Sequence, residues 1–154
     1  MSNQATLTHS ARTNLSDLAV VAIQQLERIP VAIPQVIFRL AMANVFWRSG
    51  QTKLANWDLT IQLFRDEYKV PILPPEIAAY LATMVEHVTP LMLVFGLGAR
   101  LGATAMLGMT LVIQLFVYPQ SYPDHLLWAG PLLYLVMKGP GVLSIDHILR
   151  RRFA

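Results

Sequence analysis

Two apolar runs joined by a very short turn constrain this chain more than anything else in it. Residues 77–98 and 101–118 are each close to the ~20 residues a helix needs to cross a bilayer. Only Ala99 and Arg100 stand between them, so two such helices must run antiparallel side by side. Composition points the same way. Hydrophobic residues make up 55% of the 154 positions and charged residues 14%, with a mean hydropathy of +0.47. A soluble domain has roughly a quarter of its residues charged. The chain reads as one polytopic membrane domain.

Two further runs complete the expected fold. The first, 31–47, has Arg39 at its centre and Trp47 at an interfacial position. The last, 125–143, is apolar to Met137 and reaches full length only by continuing past Pro140. The predicted class is all-α: an antiparallel transmembrane four-helix bundle. Three amphipathic segments flank it. In 15–28, Leu15, Leu18, Ala19, Ala22 and Leu26 follow helical spacing. In the first loop, Trp57, Ile61, Phe64 and Tyr68 do the same and read as a surface helix, a lid over the bundle. Residues 144–152 form a short basic interfacial helix with Ser144 as its N-cap. The polar stretch 1–14 is expected to be a disordered tail. It lacks the ordered basic, apolar and small-residue regions of a cleavable signal peptide.

Orientation follows from the cations. Four spans place Arg12, Arg28, Arg100, Lys138, Arg150, Arg151 and Arg152 on one side, and Arg48, Lys53, Arg65 and Lys69 on the other. The positive-inside rule then puts both termini in the cytoplasm, with the chain in a bacterial inner membrane.

Several chemistries are excluded or weakened. With no cysteine, the chain alone has no thiol nucleophile, disulfide or Cys-ligated cluster. A net charge of +3 with dispersed cations gives no nucleic-acid stripe. No nucleotide loop, Ser-His-Asp arrangement or HExxH occurs. The seven methionines are scattered along the chain and read as apolar filler.

Ionisable residues at bilayer depth are costly and mark sites by default. Arg39 and Glu86 are each about nine residues from the outer end of their spans, roughly 13 Å deep. This level-matching predicts an Arg39–Glu86 pair, either a structural fastener or a ligand site. Lys53, Gln114, Tyr118, Asp124 and His125 cluster toward the same half and are candidate walls of an outward-facing cavity floored by that pair. His87 points about 100° away from Glu86. It and His125 are the only candidate metal ligands, and a lone buried histidine is more often a packing residue. No metal is assigned.

Three stretches carry a family resemblance: RLAMANVFWRSGQTKL at 39–54, YKVPILPPEIAAYLATMVEHVTPLMLVFGLGARLGA at 68–103, and VIQLFVYPQSYPDHLLWAGPLLYLVMKGPGVLSIDHIL at 112–149. The chain resembles the DoxX family of small four-helix bacterial membrane proteins. The family pattern maps to Arg39, to Gly50 with Lys53, to Glu86, and to Gly96 through Arg100. The resemblance implies the fold and a membrane location. It links the family to thiosulfate:quinone oxidoreduction and to membrane complexes of oxidative-stress defence, and assigns no reaction here. The role expected is an accessory or assembly subunit of a redox- or stress-linked membrane system, with a protein partner encoded nearby or a homo-oligomeric state. The alternatives are a quinone-binding or proton-relaying oxidoreductase subunit, with quinone the one cofactor suggested, and a small transporter or metal-handling protein.

Overall fold

The computed structural model describes residues 15–153; the expected disordered tail, 1–14, lies outside the described residues. The described residues are helical, with no strand. They divide into a unit ending at Pro30 and a unit spanning Val31–Ala154. The described part of the first unit is helix α1, Leu15–Glu27, in which no residue is buried.

The second unit is built on α2 (Ala32–Ala55), α4 (Pro75–Phe95), α5 (Ala99–Val112) and α6 (Tyr122–Lys138). Each packs on two others in the cyclic order α2, α4, α5, α6. Neighbours run antiparallel. Along α2, Arg39 meets Leu93 while Lys53 meets Glu86. Gln35 meets Gly139 at one end of α6 while Phe46 meets Trp128 nearer its other end. The core between the four is Met42, Ala43, Phe46, Leu93, Ala103, Met106, Leu132 and Leu135, all buried.

The reversal between α4 and α5 depends on glycine. Gly96 and Gly98 adopt φ of +64° and +59°, a left-handed region that side-chain-bearing residues rarely enter. Leu97 N–H bonds the Met92 carbonyl at 3.0 Å and Gly96 N–H the Leu93 carbonyl at 3.2 Å. These are the paired bonds of a Schellman cap, which satisfies helix-end carbonyls. Gly102 then lets α5 close onto α4, since a Cβ there would stand 3.0 Å from Leu93 Cδ1.

Two helices are long and apolar enough to cross a membrane: Pro75–Phe95, and Ala99–Val117, where α5 continues through a π-helical turn, Ile113–Val117. The other two depart from the expected spans. The first helix does not stop near Trp47 but runs eight residues further, because Ser49 and Lys53 find partners on α4. The last apolar helix ends at Lys138 rather than 143. Gly139 turns to φ +80° and Pro140 has no N–H to continue the ladder. At 17 residues, α6 is about 26 Å long, short of the ~30 Å hydrocarbon core.

Between α2 and α4 lie α3 (Trp57–Leu63) and a second π-helical turn, Phe64–Tyr68. Phe64 packs with Ala78 and Ala79 of α4, so the amphipathic loop segment lies on the bundle. The chain ends in α7, Ile145–Phe153, whose Ser144 Oγ accepts from His147 N–H at 3.2 Å as an N-cap does.

Candidate functional site

Ser49 and Lys53 are one turn apart on α2, so both side chains reach the same point on α4. Lys53 Nζ stands 2.7 Å from Glu86 Oε1, and Ser49 Oγ donates to the same oxygen at 2.9 Å. Lys53 also donates to Ser49 Oγ at 3.1 Å. The triangle is closed except at one atom. Glu86 Oε2 is buried and has no hydrogen-bond partner among the described residues. Glu86 is only 2% exposed.

Gly50 makes this approach possible. A Cβ there would lie 2.6 Å from His87 Cε1 and 3.1 Å from Glu86 Cβ. The imidazole cannot easily move aside. Its Nδ1 donates to the Thr83 carbonyl at 2.7 Å, its Nε2 lies 3.0 Å from Gln51 Nε2, and Trp47 packs edge-on at 5.1 Å. Gly50→Ala is therefore expected to cost about 1–3 kcal/mol through overpacking. An unchanged unfolding midpoint in detergent would contradict this. Because a carbonyl only accepts, Nδ1 holds the proton and Nε2 accepts from Gln51. Both ring nitrogens of His87 are engaged, and it is a packing residue between α2 and α4.

Arg39 does not pair with Glu86. Its guanidinium instead donates to four backbone carbonyls: Leu93 at 2.6 Å, Val94 at 2.6 Å, Leu143 at 2.6 Å and Pro140 at 3.3 Å. The last carbonyls of a helix lack intrahelical partners and carry its negative pole, and Arg39 sits on those of α4. The level-matching failed because it ended α2 at Trp47. With α2 extended to Ala55, its register sets Arg39 beside the C-terminus of α4 and Lys53 beside Glu86.

A cavity of about 370 Å³ borders the Lys53–Glu86 pair, within the range of small-molecule sites. Its walls come from α2, the Phe64–Tyr68 turn and the irregular stretch after it, α4, α5 with the π-helical turn that continues it, and α6. Apart from Ser49, Lys53, Glu86, Tyr68, Tyr118 and His125 they are apolar, with Phe46, Phe64 and Trp128 supplying aromatic faces. Of the residues expected to wall a cavity, Lys53, Tyr118 and His125 do so. Gln114 stands behind His125 instead. Its Nε2 donates to the Pro119 carbonyl at 2.9 Å, which turns its Oε1 toward His125 Nδ1 at 2.6 Å. His125 Nδ1 is then the donor, and in the neutral ring Nε2 is left as an acceptor. Asp124 is exposed in the first turn of α6, away from the cavity, where a carboxylate suits the positive helix pole. Arg39 does not border the cavity.

Tyr118, one residue past the end of the membrane-length helix Ala99–Val117, donates to Glu67 Oε1 at 2.5 Å and packs edge-on against Tyr68 at 5.7 Å. The bond to Glu67, followed by burial, pushes its phenol above the ordinary value. Sequence reasoning missed Ser49, Phe46, Phe64, Tyr68 and Trp128 as cavity residues. The four-residue spacings Ser49/Lys53 and Phe64/Tyr68 were the available signals. Among the described residues no group of three or more His, Asp or Glu side chains gathers as a metal site.

The DoxX family profile matches residues 35–119, more than half of the chain. That stretch contains Arg39, Ser49, Gly50, Lys53 and Glu86 and stops short of His125 and α7. An uncharacterized protein of Haemophilus influenzae is 27% identical over 142 residues, covering 82% of this chain and 90% of its own length. No solved structure matches. The matched stretch takes in both membrane-length helices, and the chain belongs to the DoxX family.

Proposed function

We propose that the protein is a multi-pass protein of a bacterial inner membrane that holds a lipophilic ligand with an oxygen-bearing aromatic head, the quinone class, for a redox-linked membrane system. In this reading α2, α4, α5 and α6 all cross the bilayer, with both termini cytoplasmic. The observation that carries it is the cavity: apolar and aromatic walls around one buried ion pair whose carboxylate keeps an oxygen unpartnered. A carboxylate oxygen left so at membrane depth is costly, and a ligand hydroxyl donating to it would lower that cost. Aromatic faces suit a flat ring, and apolar walls suit its tail.

The test is native mass spectrometry of the detergent-purified protein with a short-chain quinol, in wild type and Glu86→Gln. Wild type is expected to retain one ligand. The variant is expected to bind ten- to a hundredfold more weakly, the effect of losing one charge-assisted hydrogen bond. No retained ligand in wild type, or equal affinity in the variant, would refute the reading.

An accessory or assembly subunit is the second reading, and α1 favours it. Leu18, Val21 and Leu26 are exposed on a helix with no buried residue, a face suited to a protein companion. A stoichiometric companion lost on Leu18→Asp would support that role, and a wild-type protein that purifies alone at full activity would dismiss it.

A further inference from the structure

Helix α7 is stitched down at its first turn and free beyond it. Asp146 takes Gly98 N–H on Oδ1 at 2.8 Å and Ala99 N–H on Oδ2 at 3.1 Å, and so caps α5. Its own N–H bonds the Gly96 carbonyl at 2.9 Å, and Arg39 holds the Leu143 carbonyl just upstream. The rest of the helix has no buried residue. At 100° per residue, Ile145, Ile148, Leu149 and Phe153 fall within about 140° of one another, and all four are exposed. Arg150 and Arg151 flank this face, and Arg152 falls within its arc in the last turn, where its long apolar stem lets the guanidinium reach back to the polar side.

The charges of the second unit are sorted by end. Around α7 and the α4–α5 turn lie Arg100, Lys138, Arg150, Arg151 and Arg152, all exposed. Among the described residues the one acid there is Asp146, already bonded to backbone N–H groups. Arg100 reaches the end of α6, bonding the Met137 carbonyl at 3.4 Å, which draws the cations of three elements to one rim. The other half carries Asp58, Asp66, Glu67, Glu76, Glu86 and Asp124 against four cations. An apolar stripe bordered by arginines, fixed at a set place on a membrane protein, is the form of an interfacial helix.

We infer that α7 and the adjoining rim bind the headgroups of anionic phospholipids in the leaflet on that side. The apolar stripe enters the acyl boundary and the arginines engage the phosphates. This does not depend on what fills the cavity.

The chain has no cysteine, so Ile148→Cys or Phe153→Cys in the full-length protein accepts a single environment-sensitive fluorophore. The protein is placed in nanodiscs of phosphatidylcholine alone, or of phosphatidylcholine with phosphatidylglycerol. Quenching by a nitroxide on the lipid chain reads insertion. Both labels are expected to insert in the mixed discs and much less in phosphatidylcholine. The inserted-to-free ratio should fall about fivefold per arginine replaced. R150Q/R151Q/R152Q should thus lower it about a hundredfold, and high salt should mimic the loss by screening. Equal quenching in the two lipids, labels left in water in both, or a triple variant that inserts like wild type would each overturn the inference.

Discussion

Arg39→Met is expected to lower unfolding stability by about 3–5 kcal/mol. The guanidinium serves carbonyls on two segments, the end of α4 and the linker from α6 to α7. Leu93 keeps a bond from Gly96 N–H when Arg39 is removed. Val94, Pro140 and Leu143 lose theirs, and a buried acceptor left unpaired costs about 1–3 kcal/mol. Arg39→Lys should recover less than half, because one ammonium cannot span four acceptors that a planar fork reaches together. The measurement is unfolding in mixed detergent micelles, with hydrogen exchange over residues 139–147 as the local readout. Wild-type stability with unchanged protection there would show that Arg39 holds nothing.

Lys53→Met is the second large effect, again about 3–5 kcal/mol, and here the double variant is the informative one. Removing one partner of a buried ion pair leaves a charge uncompensated, while removing both is often close to neutral. Lys53 is 15% exposed and Glu86 3% by side chain, so water rescues neither charge well. Lys53→Met combined with Glu86→Gln should be more stable than Lys53→Met alone, with a coupling of about 1–3 kcal/mol in the cycle. Additive losses would mean that the two side chains do not interact in the folded protein.

Much of the fold was legible because apolar helices announce themselves by length and spacing. The α4–α5 reversal could be read from the shortness of the connection, although the expected span ran through Gly96 and Gly98 where α4 in fact ends at Phe95, and α7 from Ser144 followed by an amphipathic basic run. Helix ends set by tertiary partners could not. Nothing local says that α2 should continue past Trp47 through Arg48, Ser49, Gln51 and Lys53; the carboxylate of Glu86 and the imidazole of His87, more than thirty residues away, make it worthwhile. That one misplaced end shifted the register and put the wrong cation opposite Glu86. The cavity was legible only in part for a related reason. Its charged members stood out against an apolar background. Its aromatic walls did not, since Phe46 and Trp128 look like any other core residue until α2 and α6 are set side by side.

The bonds of Arg39 also bear on the order in which the chain is made. Arg39 belongs to the first helix of the bundle to be synthesised, yet two of its partners, Pro140 and Leu143, arrive more than a hundred residues later. Asp146, which caps α5, comes later still. Until those residues emerge, the α4–α5 hairpin has Arg39 on the Leu93 and Val94 carbonyls of α4, but that guanidinium is only partly bonded and no carboxylate caps the positive pole of α5. The last fifteen residues therefore act as a clasp, and a nascent chain that stops before them has made every helix of the bundle without being able to close it.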